Sequence, residues 1–130
     1  MIEKLLFKLD KQYKNEAEFT SWFGRELKKR SWFFHKISDA DRRLKPFDAI
    51  FWLDWIVWAI EFKCVSTDKC YPYRLLRWSS EKNPWPQVKW LREYQNNWWL
   101  SLVIIYNKKH CVYDICNFLY IDFNSIITHA

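Results

Sequence analysis

Two carboxylates and an amine stand at a spacing that can do phosphodiester chemistry. Asp48 follows Lys45-Pro46-Phe47, and thirteen residues later comes Glu61-Phe62-Lys63. If the apolar run between them folds as a hairpin turning at Leu53-Asp54, Asp48 lies opposite Ala59, with Glu61 its diagonal neighbour on the same sheet face. Lys63 shares that face, because strand side chains alternate with a period of two. Val57 and Ala59 continue the row, while Ile56, Trp58, Ile60 and Phe62 point the other way. Two carboxylates held together repel unless a cation lies between them, and hard oxygen ligands suit Mg²⁺ or Mn²⁺. The lysine can orient or activate an attacking water and offset phosphate charge. A salt-bridged strand end would carry the same three residues with no chemistry, so other residues must decide.

Those residues need elements to hold them. Asn15 can cap a helix running to about Arg30, with Phe19, Trp22, Phe23 and Leu27 as its apolar stripe. At 100° per residue, Glu16 and Glu26 lie within about 45° of the stripe's centre, and Glu18 about 115° away. Glu16 and Glu26 are therefore expected to face inward and Glu18 to be solvated. Residues 3–13 suit a shorter helix, with Leu5, Leu6, Leu9 and Tyr13 at helical spacing. Residues 32–38 read as a strand, and Phe47–Trp52 and Trp55–Lys63 as the hairpin. A break rich in Ser, Tyr, Lys and Arg spans 64–83. Asn83 can cap a further helix to about Asn97, with Pro84 in the first turn. On it Gln87, Trp90, Leu91 and Tyr94 share one face, and an amide on an apolar face wants a partner. Residues 100–106 read as a buried strand, 110–115 as its hairpin partner, and 118–130 as either a short strand or a helix. The order α-β-β-β-α-β-β predicts an α/β fold with a mixed sheet.

At 130 residues, half of them hydrophobic, the chain is expected to form a single domain spanning 1–130. Ten Trp among 27 aromatic residues exclude a disordered chain, and one Gly with four Pro excludes collagen-like or linker architecture. The longest nearly apolar run, 49–60, is broken by Asp54 and is shorter than the about 20 residues of a membrane span. The N-terminus mixes acids with apolar residues and does not read as a signal peptide. The expectation is an intracellular, cytoplasmic chain with no membrane contact. Cys64 and Cys70, and Cys111 and Cys116, are separated by five and four residues, not the two typical of zinc ribbons, and are expected to be reduced thiols.

The net charge of +6 is unevenly spread. Residues 28–45 carry +5 and 64–92 carry +4, on either side of an acidic island at 46–63 with −2. Basic flanks suit a polyanion such as nucleic acid, although a solvated surface has the same composition. Arg42 and Arg43 belong to the first flank. Lys69, Arg74 and Arg77 belong to the second, interleaved with Tyr71, Tyr73 and Trp78 as suits backbone contact and base stacking. His35 and Lys36, at the end of the first strand, are placed to meet phosphate.

Taken in order, these features resemble the PD-(D/E)xK nuclease superfamily, and within it the Holliday-junction resolvases. The resemblance runs through Glu16, Phe19 to Leu27, His35-Lys36-Ile37, Pro46-Phe47-Asp48, Glu61-Phe62-Lys63, and Gln87 with Leu91. It implies a restriction-endonuclease-like core, a mixed β-sheet flanked by helices. It also implies that Asp48, Glu61 and the Phe62 carbonyl ligate Mg²⁺ or Mn²⁺, and that Lys63 orients the water. Glu16 would act through an intervening water, and Gln87 would steady the site. The implied substrate is DNA, branched in the resolvases, cut by a homodimer. Two departures stand out: Phe47 separates Pro46 from Asp48, and Gly24 is the single glycine where resolvases carry more. A nucleic-acid-binding module without turnover and a general or RNA-directed nuclease of the same superfamily are the alternative readings.

Overall fold

Asn15 starts the first helix as the sequence predicts: its Oδ1 accepts the Glu18 N–H at 2.9 Å, and α1 runs Glu16–Lys29. The computed structural model describes residues 2–37, 48–53, 55–77, 91–93, 95–96, 100–118 and 125–129, without the side chains of Tyr73 and Arg77. Five strands form one sheet in the order β1 (Phe33–Lys36), β2 (Ala49–Leu53), β3 (Ile56–Val65), β5 (Leu100–Asn107) and β6 (Val112–Asn117). The β3–β5 pair is parallel and the other pairs are antiparallel, so the sheet is mixed. A two-stranded ladder of β4 (Lys69–Cys70) and β7 (Ile127–Thr128) and a short helix α2 (Pro72–Arg77) complete the elements.

Helix α1 lays Phe19, Trp22, Phe23 and Leu27 on one sheet face, where they meet Phe51, Trp58, Ile60, Phe62, Leu102, Ile104 and Tyr106. Phe19 stacks on Tyr106 with ring centroids 4.7 Å apart and planes within 5°. Gly24 allows the helix to come this close: a Cβ there would lie 2.9 Å from the Phe34 ring on β1. On the opposite face, among the described residues, Leu76 of α2, Leu91, Cys70 and Phe118 pack over Ala59, Val103 and Ile105. Residues 91–93, 95 and 96 are helical, and the buried Ser101 hydroxyl donates to the Leu91 carbonyl at 3.1 Å.

Several expectations are corrected. Residues 3–13 do not form a helix; only a 3₁₀ turn at Ile2–Leu5 remains. Two buried tyrosines capture the backbone instead. The Tyr113 hydroxyl donates to Leu5 O and accepts the Phe7 N–H, while that of Tyr106 donates to Tyr13 O and accepts the Tyr13 N–H. The hairpin turns one residue later than predicted. Leu53 pairs with Ile56, and Trp55 lies in the turn between them at a φ of 65°. Keeping Leu53 in the strand leaves it buried rather than exposed in a turn. Strands β1 and β2 are shorter than expected, and β3 and β5 run to Val65 and Asn107. The predicted 64–83 break holds β4 and α2, the partner of β5 begins at Val112, and β7 decides the chain end as strand. Residues 83–90 of the predicted helix lie outside the described residues.

The four cysteines are free thiols. Cys64 and Cys116 sit on strands, but Cys111 occupies the β5–β6 turn at a φ of 51°, not a strand as its apolar neighbours implied. Burial pushes the Cys116 thiol up to about 12. Among the described residues no helix is long and apolar enough to cross a membrane.

Candidate active site

The later turn brings the two carboxylates closer than the sequence reading had them. The β2–β3 ladder ends at Ala49↔Ile60, and Asp48 just beyond it bonds the Ile60 carbonyl and the Phe62 N–H, which sets it beside Glu61 rather than opposite Ala59. The side-chain face is unchanged, because the slip alters the pairing by two residues. Asp48 is clamped between two strands. Its N–H donates to Ile60 O at 3.0 Å, and its carbonyl accepts the Ile37 N–H at 2.8 Å. Its Oδ2 accepts the Phe62 N–H at 2.8 Å. The aspartate thus caps the point where β2 ends and β3 continues alone beside β5, an opening only a mixed sheet creates.

Glu61 sits at that opening with 2% of its surface exposed, beside Val103 of the parallel strand. Lys63 follows on the same face beside Ile105, with Nζ 3.7 Å from Glu61 Oε1. Burial raises the Glu61 pKa well above the ordinary carboxylate range, and the charge of Asp48 raises it further. Lys63 opposes the shift, while a hydrogen bond with Asp48 and the charge of Glu16 add to it. Without a cation, burial and the neighbouring Asp48 charge therefore favour the protonated form of Glu61. Glu16, the first residue of α1, is half-buried, and its charge acts on both Glu61 and Cys64. Asp48, just before β2, thus meets Glu61 and Lys63 of β3, and Glu16 at the start of α1 acts on Glu61 through its charge.

This donor set fits a hard divalent cation. Among the described residues no three His, Cys, Asp or Glu side chains form a ready-made cage. Mg²⁺ does not need one, since it takes one or two carboxylates and fills its shell with waters and substrate phosphate. Asp48 and Glu61 would supply those two, and a cation there would offset the unfavourable burial of the Glu61 carboxylate.

The remaining predicted residues divide. Glu26 is not at the site: Lys29 and Arg30 hold it at 3.0 Å each near the other end of α1, keeping its carboxyl below the ordinary range. Glu18 is exposed as expected, and its Oε2 accepts the Lys14 N–H in a reciprocal helix cap. His35 and Lys36 are exposed on β1, with His35 across from Ile50. Lys69 and Arg74 are exposed on β4 and α2, and the Arg74 guanidinium lies over the Tyr71 ring, 4.8 Å from its centre. Arg42, Arg43, Pro46, Phe47, Gln87 and the side chain of Arg77 lie outside the described residues. Sequence reasoning passed over Trp55, which periodicity counts as a strand residue. The signal was available in the poor fit of Leu53 to a turn.

The architecture is that of a nuclease fold of the resolvase kind, a mixed sheet flanked by helices. A solved structure of a Holliday junction resolvase from the archaeal hyperthermophile Archaeoglobus fulgidus superposes with a TM-score of 0.54 at 16% identity, over 79% of this chain and 77% of that one. No protein-family model matches the sequence, and no curated protein does.

Proposed function

We propose that the chain is a Mg²⁺-dependent endonuclease that hydrolyses phosphodiester bonds in branched DNA. The observation that carries this reading is the meeting of Asp48, Glu61 and Lys63 where β2 ends in a resolvase-like sheet, with the charge of Glu16 acting on Glu61. Asp48 and Glu61, with the main-chain carbonyl of Phe62, would hold Mg²⁺ or Mn²⁺. When bound, the cation supplies Lewis-acid polarisation of the phosphate and a lower pKa for water. Lys63 orients the attacking water and offsets the charge that grows on the phosphate oxygens. Glu16 positions solvent from the helix side, and Gln87 steadies the site from the following helix. His35, Lys36, Lys69 and Arg74 bind the phosphate backbone together with Arg42, Arg43 and Arg77.

Resolving a four-way junction takes two cuts, which a homodimer supplies through one repeated interface. The test is purified protein with Mg²⁺ on labelled single-stranded, duplex and four-way DNA, run beside sedimentation. The expected result is selective, paired cutting of the four-way substrate by a dimer. A monomer that nicks linear duplex as readily as a junction would reduce the reading to a general nuclease, and no cutting of any DNA with Mg²⁺ or Mn²⁺ would end it.

A further inference from the structure

The β2–β3 hairpin ends in an exposed aromatic tip that the catalytic reading does not use. Trp55 is 90% exposed, Trp52 48% and Phe33 57%. Trp52 and Trp55 meet edge to face with ring centroids 6.0 Å apart, and Phe33 is the cross-strand partner of Trp52 on β1. A single exposed aromatic is ordinary, but three in contact order at one sheet corner form a patch. The backbone adds an independent observation. Trp55 has a φ of 65°, a conformation that favours Gly, Asn or Asp, so a bulky indole is held there against local preference.

The patch is continuous with the candidate active site. Strand periodicity and the observed pairing put Phe33, His35, Ile50, Trp52, Ala59, Glu61 and Lys63 on one face. Trp52 lies four residues along β2 from Asp48, roughly 14 Å at the rise of a strand. That equals about four stacked nucleotides of one DNA strand. His35, exposed on the same face, sits between the two sites, Lys63 lies on that face at the catalytic end, and the chain is basic overall at +6. Exposed aromatic faces on a basic chain suit a polyanion whose bases can stack. A second copy of this chain would bring the same positive charge to the same corner.

We propose that Trp52 and Trp55, flanked by Phe33, form a stacking platform for an unpaired base of the strand whose phosphate lies at Asp48, Glu61 and Lys63. The platform rests on the nuclease reading for its register and names the substrate feature recognised: a base freed from its stack a few nucleotides from the cut.

The experiment titrates the protein, in EDTA so that no strand is cut, into branched DNA carrying 2-aminopurine at successive positions within about five nucleotides of the branch. Wild-type protein is expected to quench one such position. Trp52→Ala and Trp55→Gly should each remove the quench and weaken binding to this DNA roughly ten-fold, with affinity for perfect duplex unchanged. Trp55→Gly suits the backbone conformation, so its thermal melt should match or exceed wild type, and Trp55→Tyr should restore the quench. A quench that survives the Trp52→Ala/Trp55→Gly double variant overturns the platform. So does a change in sedimentation with the quench intact, which gives the patch to a second copy. Cutting in Mg²⁺ without any quench retires the platform alone, and a quench without cutting retires the nuclease reading alone.

Discussion

The two faces of β3 do different work, although they alternate along the same ten residues. On one face Trp58, Ile60 and Phe62 are buried beneath α1 in a cluster rich in aromatic rings. On the other, Ala59 is followed by Glu61 and Lys63, and among the described residues the packing comes from Leu76 of α2, Leu91, Cys70 and Phe118. The first face gains stability with every residue it buries. The second spends some of it, because a carboxylate removed from water beside other acids is unfavourable unless protonated or matched by a cation.

Substitutions on the two faces should therefore separate activity from stability. The largest effect is expected on the polar face. Asp48→Asn, Glu61→Gln and Lys63→Ala should each lower DNA cleavage by roughly a thousand-fold or more, since each removes part of several kcal/mol of transition-state stabilisation. Circular dichroism and binding in EDTA should stay close to wild type, and a variant cutting at the wild-type rate would misplace the site. On the apolar face Phe62→Ala should cost about 3–5 kcal/mol of folding free energy in a denaturant melt, through the cavity left against Phe19 and Phe23. A cost below about 1 kcal/mol would mean that α1 is not clamped by that ring.

A third prediction tests the electrostatic difference directly. The folded pKa of Glu61 lies above its ordinary value of 4.5, so the native state holds more protons than the unfolded chain at higher pH. Stability of the metal-free protein should then fall as pH rises from the ordinary carboxylate range through the raised native pKa. Glu61→Gln should remove this slope and raise Tm near neutral pH by a few degrees, and Mg²⁺ should stabilise wild type but not the variant. A wild-type melt that does not respond to pH or Mg²⁺ would contradict the raised Glu61 pKa. The smallest effect lies remote from both faces: Asn15→Ala should cost about 1 kcal/mol by freeing the Glu18 N–H, measured as a shift in the denaturant midpoint.

Much of the site was legible before any fold. Alternation along β3 assigned Glu61 and Lys63 to one face and Phe62 to the other, and helical spacing turned Glu16 inward. Glu26 misled because angle alone places it on the stripe, whereas Lys29 and Arg30, three and four residues on, give it closer partners. The predicted N-terminal helix over residues 3–13 failed for a tertiary reason. Their backbone is bonded by Tyr106 and Tyr113, about a hundred positions away in the chain, and no local pattern reports such partners.

Local periodicity alone determined that β2, β3 and β5 are buried strands, that α1 begins after Asn15, and which side of the hairpin carries the acids, because those properties depend on neighbours two to four residues apart. Tertiary structure decided the rest. The parallel pairing of β3 with β5 removed Glu61 from water, and the position of the turn set Asp48 against Glu61 instead of Ala59. It also left Trp55 outside at the hairpin tip. Register and burial are collective quantities, chosen by the whole sheet when it closes over its core, and a one-residue shift in a turn changes them without altering a single local preference.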